Sequence, residues 1–144
     1  SLSDEINHVR QYLFIQKQRY GDKLEYEIDE DSAFDNLLLP KLVLQPLVEN
    51  ALYHGIKEKE GQGHIKLSVQ KKDTGLVIRI EDDGVGFQAA GDSSQSNLKR
   101  GGVGLQNVDQ RLKLHFGDNY QMKINSAPEK GTTVEIYLNK IATS

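Results

Sequence analysis

Apolar residues in the first part of the chain recur with the spacing of an amphipathic helix. They step by four, three and four residues, at Leu2, Ile6, Val9 and Leu13, so they share one side of the helix. Ser3 is the predicted N-cap of this helix and Gly21 its predicted end. This apolar seam is typical of a helix that packs on its own domain. It is equally typical of the end of a dimerisation helix, so both interpretations stay open.

Five later stretches alternate apolar and polar residues, which is typical of strands with one buried face. They predict a strand at residues 23 to 30, a hairpin at about 63 to 82 and a second hairpin at 120 to 138. A helical pattern at residues 104 to 116 lies before the second hairpin, and Gly117 is its predicted end.

A central helix is predicted around residues 45 to 55. Pro40 can stand in its first turn. Pro46 removes one helical hydrogen bond, so it either bends the helix or moves the true start closer to Asn50. Gly55 is the predicted stop.

One face of this helix carries polar groups with the chemistry of a binding site. Asn50 and His54 are four residues apart and therefore share a face. The amide oxygen of Asn50 is a suitable ligand for a hard cation such as Mg²⁺. The neighbouring Glu49 could accept a proton or orient a water.

Composition narrows the class of protein. The chain has 144 residues, enough for one domain with a core, and a net charge of -3, which argues against a nucleic-acid partner. It contains no cysteine, so disulfides and thiolate metal sites are excluded. No apolar run reaches the ~18 residues of a membrane span and no signal peptide is present. Because the chain opens inside a helical pattern, we expect it to be part of a longer protein.

Three glycine-rich segments suggest a nucleotide site. Asp82 to Gly86 closes a strand, Gly101 to Leu105 opens a helix, and Gly131 to Thr133 opens the last strand. A Gly-rich turn at a helix N-terminus offers free N–H groups to phosphate. A strand-end carboxylate can accept a hydrogen bond from an exocyclic amino group. Each segment alone is common in ordinary turns, but together with Asn50 they could hold both ends of a purine nucleotide. The sequence lacks the P-loop and Rossmann fingerprints.

The order of these motifs resembles that of a known superfamily. Glu49-Asn50, Asp82-x-Gly84-x-Gly86, Gly102-x-Gly104-Leu105 and Gly131-Thr132-Thr133 look like the four boxes of the GHKL ATP-binding proteins. Residues 12 to 21, 45 to 51 and 102 to 112 give a closer resemblance to LytS/YesM-type sensor histidine kinases. The resemblance covers essentially the whole chain and implies an α+β Bergerat fold. This is a two-layer α/β sandwich with a mixed sheet covered on one face by helices and preceded by an N-terminal helix.

The resemblance also implies roles for individual residues. Asn50 would bind Mg²⁺, Asp82 would bind adenine, and Glu49 would take the acidic catalytic position. The remaining implied contacts are the adenine-pocket residues Gly84, Gly86 and Thr133, and the phosphate-flanking residues Gly102, Val103, Gly104 and Leu105.

Two positions depart from the pattern of many histidine kinases. Tyr53 stands where they have a phosphate-binding lysine. The candidates to replace the charge of that lysine are Lys57 or, in the flexible lid that the resemblance implies, Lys99 and Arg100. His54 stands where they have an asparagine. A phosphate or ribose contact and a polar helix end are equal alternatives for His54.

The function implied is that of the ATP-binding catalytic domain of a two-component sensor histidine kinase. Residues 21–144 would form this domain, and residues 1–20 the end of the dimerisation and phosphotransfer region. The domain would pass the γ-phosphoryl group of Mg·ATP to a histidine upstream of this chain, for relay to a response regulator. We expect a homodimeric parent protein and a cytoplasmic domain of a cell-membrane protein. A GHKL ATPase clamp and a non-catalytic nucleotide-binding scaffold are the alternatives.

Overall fold

The structure, a computed structural model, describes residues 1–87 and 102–141. The helices are α1 (Leu2–Tyr20), α2 (Leu44–Asn50), which a π-helical turn (Ala51–Ile56) continues, and α3 (Val103–Phe116). The strands are β1 (Leu24–Asp29), β2 (Gly63–Lys72), β3 (Gly75–Asp82), β4 (Tyr120–Ala127) and β5 (Gly131–Leu138). Short 3-10 turns lie at Gly21–Lys23, Ser32–Phe34 and Gly117–Asn119.

The five strands form one mixed sheet in the order β1-β2-β3-β5-β4. β1 is parallel to β2, and the other neighbours are antiparallel. Side chains alternate between the two faces of a strand, and the face toward the helices carries the buried residues, such as Leu67, Ile78 and Ile136. The other face carries ion pairs, such as Arg79 with Glu135. The predicted α+β two-layer fold, with helices on one face of a mixed sheet, is confirmed.

Helix α1 packs against its own domain. Its apolar residues are at most 1% exposed and belong to the single core cluster: Leu2, Ile6, Val9 and Leu13. The predicted seam is therefore buried within this domain, as the first of the two interpretations states. Ser1, not Ser3, is the N-cap, because Ser1 and Asp4 form a reciprocal capping box. Gly21 ends the helix as predicted.

Helix α2 begins at Leu44, so the predicted start at Pro40 is wrong. Pro46 is the third residue of the helix, where a backbone N–H would have no intrahelical acceptor in any case. It therefore costs no helical hydrogen bond, and the alternative that it moves the start toward Asn50 is confirmed. The predicted stop at Gly55 is also wrong, because the π-helical turn runs on to Ile56.

None of the helices in the described residues, 1–87 and 102–141, is both long enough and apolar enough to span a membrane.

A buried polar bond joins α3 to the edge strand β4. The hydroxyl of Tyr120 donates to Asp109 Oδ1 at 2.6 Å, and Asp109 is only 7% exposed. Lys113 Nζ lies 3.1 Å from the other carboxylate oxygen of Asp109. The hydroxyl of Tyr120 therefore provides a hydrogen-bond donor to Oδ1 of the buried Asp109 carboxylate, which Lys113 contacts at its other oxygen.

We predict that Tyr120→Phe lowers the free energy of unfolding by about 1–2 kcal/mol, because Asp109 stays buried and loses its donor. Urea unfolding measures the change. Tyr137→Phe is the matched control, since it also removes a hydroxyl bonded to a carboxylate, that of Glu135, but on the helix-free face of the sheet, where both residues are only partly buried. A similar loss in both variants would show that burial of Asp109 does not matter.

Candidate functional site

A cavity of about 210 Å³ lies between α2 with its π-helical turn and the covered face of the sheet. The helical side contributes Leu47, Asn50, Ala51, His54 and Gly55. The sheet side contributes Ile80 and Asp82 of β3 with Thr132 and Val134 of β5, and the segment after β3 contributes Gly86 and Phe87. The cavity therefore has an apolar interior with an amide and an imidazole on one wall and a carboxylate on the other.

The π-helical turn shapes the helical wall. The N–H of Lys57 bonds to the carbonyl of Leu52 at 2.8 Å, an i→i+5 pattern that is rare and recurs at functional sites. Asn50 immediately precedes this turn, and His54 and Gly55 lie within it. The predicted shared face is confirmed to the extent that Asn50 and His54 both line the cavity.

Gly55 lies directly against the end of β3. A Cβ atom at this position would be 2.6 Å from Asp82 Oδ1, closer than real Cβ contacts, so the carboxylate would have to shift. A Cβ atom on Gly84 would in turn overlap the backbone of Gly55, and the N–H of Val85 donates to the carbonyl of Gly55 at 3.2 Å. The two glycines therefore permit a close helix-to-strand approach.

Asp82 is the partly buried carboxylate of the cavity. Its Oδ1 accepts the N–H of Gly84 at 2.9 Å, and the backbone N–H of Thr132 bonds to the same carboxylate. Burial raises the pKa of Asp82 from 3.8 to about 6, against the opposing effect of the two N–H donors. A carboxylate held in this way keeps acceptor capacity for a hydrogen-bond donor inside the cavity.

The next residue has the opposite electrostatic environment. Asp83 accepts the backbone N–H of His64 at 2.6 Å, and its other oxygen lies 2.7 Å from His64 Nδ1 and 3.3 Å from Lys59 Nζ. Burial alone would raise the pKa of Asp83, but the bonds from His64 and Lys59 lower it. Asp83 is thus a structural anchor that fixes the end of β3 and leaves Asp82 to the cavity.

Glu49, the predicted acidic catalytic residue, does not line the cavity. Its Oε1 accepts a hydrogen bond from Gln45 Nε2 at 2.9 Å. It also lies close to Tyr12 of α1, whose pKa is raised by burial and then by the charge of Glu49. In this arrangement Glu49 contributes to the contact between α1 and α2.

The other predicted site residues fall into three groups. Gly86 lines the cavity with a φ of 63°, and Gly84 supports it through the contact with Gly55. Gly102 is the N-cap of α3 with a φ of 93°, and Gly104 is exposed in the first turn of that helix. Leu105 is in the core, 1% exposed.

Lys57 and Thr133 lie elsewhere than expected. Lys57 does not line the cavity, and its Nζ lies 5.5 Å from the ring centroid of Tyr53. Lys99 and Arg100 lie outside the described residues. Thr133 pairs with Glu81 on the exposed face of the sheet, whereas Thr132 pairs with Asp82 and lines the cavity.

Sequence reasoning missed Thr132, Phe87 and Gly55 as site residues. The signal for Thr132 was available, because it is in phase with the apolar residues Val134, Ile136 and Leu138 on the inward face. For Gly55 no local signal separates a helix stop from a helix-to-strand contact, since both require only the absence of a Cβ atom.

A partly buried carboxylate on the sheet, opposite an amide on a helix, within an α/β sandwich, is an arrangement that can hold a nucleotide. Residues 35–141 match the family described as histidine kinase-, DNA gyrase B- and HSP90-like ATPase. The chain belongs to this family, and the resemblance seen in the motifs is confirmed.

Individual proteins that resemble this chain include sensor histidine kinases. YwpD of Bacillus subtilis is 38% identical over 100% of this chain and 51% of its own length. The sensor histidine kinase YesM of the same organism is 35% identical over 94% of this chain and 23% of its own length. The chain therefore spans only part of these relatives. Full-length ShkA in complex with AMPPNP has a TM-score of 0.67 at 17% identity, covers 100% of this chain and 31% of that chain, and shows the same fold.

We predict that Gly55→Ala lowers the affinity for ATP more than about ten-fold, because the added methyl group must displace the carboxylate of Asp82. Titration calorimetry measures the affinity. Gly61→Ala is the control: no atom lies within 4 Å of its Cβ position, but its φ is +83°, so it costs stability without touching the cavity. An equal loss of affinity in the two variants would show that the contact between residue 55 and Asp82 is not the cause.

We predict that Asp82→Asn raises the free energy of unfolding at pH 7.5 by about 1–2 kcal/mol in the absence of nucleotide. The folded pKa of about 6 exceeds the ordinary 3.8, so the folded state binds the proton more readily than the unfolded state. The wild-type chain therefore loses stability as pH rises between those values, and the gain in the variant should vanish near pH 4.

Asp83→Asn is the matched control for this experiment and should have the opposite sign. The pKa of Asp83 is lowered in the folded state, so its charge stabilises the fold above its unfolded pKa and the variant should be less stable at pH 7.5. Urea unfolding at several pH values measures both variants. A gain for Asp82→Asn that persists at pH 4 would contradict the assignment of the buried charge.

Proposed function

We propose that this chain is the ATP-binding catalytic domain of a two-component sensor histidine kinase. It would transfer the γ-phosphoryl group of Mg·ATP to a histidine on an upstream helical domain, for relay to a response regulator. The observation that carries the proposal is that Asn50 on the helical wall and Asp82 on the sheet wall line the same cavity. The membership in the ATPase family and the likeness to YesM support this function over a general nucleotide scaffold.

At the base end, Asp82 would accept a hydrogen bond from the exocyclic amino group of adenine. Two of its acceptor positions are already occupied by the backbone N–H groups of Gly84 and Thr132, which fixes the orientation of the carboxylate. A base with a carbonyl at that position would face the carboxylate acceptor to acceptor and leave a buried polar group unpaired. This arrangement favours ATP over GTP.

At the metal end, Asn50 would provide an amide oxygen to Mg²⁺. Within residues 1–87 and 102–141, no three His, Asp or Glu side chains form a group that could hold a metal ion. A donor set of one amide oxygen fits Mg²⁺ that keeps its waters and is shared with the phosphates of the nucleotide. His54, on the same wall of the cavity, would contact the phosphate or the ribose.

At the phosphate end, the N-terminus of α3 would bind the phosphates. Gly102 is its N-cap, and no side chain among the described residues caps this end. The first-turn N–H groups of Val103, Gly104 and Leu105 can therefore be directed to an anion, with the helix dipole behind them. Lys99, Arg100 and Lys57 remain the candidate cations for this end.

Catalysis would consist mainly of positioning and charge neutralisation, as in other phosphoryl transfers. Bound Mg²⁺ would neutralise the phosphate charge, and the chain would hold the nucleotide between Asp82 and Asn50. For Glu49 to act on the acceptor, its carboxylate would have to leave Gln45. In the parent protein, residues 1–20 would be the end of the dimerisation and phosphotransfer region, with their apolar side packed on this domain. The parent would be a homodimeric membrane protein, and this domain its cytoplasmic part.

We predict that Asn50→Ala abolishes the increase in ATP affinity that Mg²⁺ causes, while adenosine still binds. The side chain supplies a metal ligand and belongs to the polar wall of the cavity, so the fold should be retained, as circular dichroism would verify. Titrations with and without Mg²⁺ give the affinities. Unchanged Mg·ATP affinity in a folded variant would refute the role of Asn50.

Phosphoryl transfer separates the proposed kinase from an ATPase clamp. With radiolabelled ATP, the wild-type chain should label an added helical domain from a sensor histidine kinase of this class, and the label should be alkali-stable and acid-labile. Release of inorganic phosphate at the same rate without that domain would favour the ATPase. Binding without either reaction would favour the scaffold.

A further inference from the structure

We propose that Glu5 and Arg111 form a clamp on the loop before α2, and that this clamp sets the position of Asn50 relative to the phosphate-binding end of α3. Both are positioning residues, because neither lines the cavity. The inference rests on the proposed function, and it adds two residues, from α1 and α3, that the motifs of the cavity do not include.

Helix α2 has no cap of its own. Its N-cap is Val43, which offers no side-chain acceptor, and its first turn contains no acidic residue. The N–H groups at such a helix start need acceptors from elsewhere, particularly in a buried setting. Val43 and Leu44 are 1% and 0% exposed, so water cannot easily supply those acceptors.

Glu5 of α1 supplies them across the domain. Its Oε1 accepts the N–H of Val43 at 2.7 Å and that of Leu44 at 3.4 Å, and its Oε2 accepts the N–H of Leu42 at 3.2 Å. Glu5 is only 6% exposed. Among the described residues, the basic side chain recorded closest to Glu5 is that of His8, whose Nδ1 lies 3.9 Å from Oε2. The buried charge is therefore stabilised chiefly by the three N–H donors and the positive end of α2.

Arg111 of α3 holds the same loop from the other side. Its guanidinium donates to the carbonyl of Leu42 at 3.1 Å and to the carbonyl of Lys41. Leu42 has a φ of 58°, a conformation that a residue with a branched side chain rarely adopts. The backbone of Leu42 is thus fixed at its N–H by α1 and at its carbonyl by α3, and the two bonds together hold this strained conformation.

The clamp acts on the two ends of the proposed Mg·ATP site. Asn50 lies at the end of α2, less than two turns from Leu44, and the N-terminus of α3 lies about two turns before Arg111. A shift of α2 against α3 would change the distance between the metal ligand and the phosphate-binding turn. Asp82 and Thr132 belong to the sheet, so the base end should not depend on the clamp.

This difference gives the test. In Glu5→Ala we expect Mg·ATP affinity to fall about ten-fold, as when a group that orients a metal ligand is removed, with adenosine affinity almost unchanged. Glu5→Gln keeps one acceptor oxygen but turns an amide toward the N–H of Leu42, so it should restore part of the affinity. Arg111→Met should resemble Glu5→Ala, and Arg111→Lys should lie between Arg111→Met and the wild type.

Matched controls exist on the same two helices. On α1, Arg10→Ala removes an ion pair with Glu30 near the surface, and on α3, Lys113→Met removes the ion pair of the half-exposed Lys113 with Asp109. Both should leave the ratio of Mg·ATP to adenosine affinity at the wild-type value. All affinities are measured well below the thermal midpoint of each variant, with circular dichroism as the test of folding.

Hydrogen exchange without nucleotide provides an independent readout. Glu5→Ala should accelerate exchange across residues 44 to 56 and leave β3 protected. Equal losses of Mg·ATP and adenosine affinity, or unchanged exchange in residues 44 to 56, would overturn the clamp. If the wild-type chain binds neither ligand, the proposed function fails, and the exchange result then decides whether the clamp holds α2.

Discussion

The site depends on how closely a helical turn approaches the end of a strand. The backbone of Gly55 rests on Gly84, and the space where a Gly55 side chain would lie is filled by the carboxylate of Asp82. Protein interiors are close-packed, so a single methyl group at this point must move something. This contact therefore sets the distance between the sheet and the helical wall that carries Asn50 and His54.

The same contact explains why the charge of Asp82 is disfavoured in the folded state, whereas the charge of the neighbouring Asp83 is favoured. Asp82 faces the cavity under the π-helical turn, where burial disfavours its charge. Asp83, one residue later, points to the opposite side, where it accepts the backbone N–H of His64 and forms an ion pair with Lys59. Because successive side chains point to opposite sides, Asp82 faces the cavity and Asp83 anchors the end of β3. The disfavoured charge of Asp82 therefore lies where a ligand could pair with it.

Much of this architecture could be predicted from the sequence. The strand alternations of the two hairpins and the seam of α1 are periodic over enough residues to define their elements, and the box motifs identified the family. The start of α2 could not be predicted from local signals, because the acceptors that cap it come from Glu5, 37 to 39 residues away. A local rule for caps has no access to a bond of that range.

The placement of side chains within the site was predicted less well than the motifs. Thr132 and Thr133 are chemically equal and the motif does not separate them. The phase of the buried residues Val134 and Ile136 places Thr132 on the inward face, and its pairing with Asp82 agrees. Glu49 follows the family motif by position, yet its carboxylate bonds to Gln45 outside the cavity lining. Motifs identify the chemistry that a chain contains, whereas register and helix rotation decide which atoms face the ligand.

The cavity wall is drawn from segments that are distant in the chain, near residues 47 to 55, 80 to 87 and 132 to 134. No part of the chain folded alone would contain the complete wall. A ligand that needs all three segments binds the native state and not the unfolded one, so its binding energy adds to native stability by mass action. Because Thr132 and Val134 of β5 complete the wall beside β3, the appearance of binding during refolding would mark the pairing of β5 with β3.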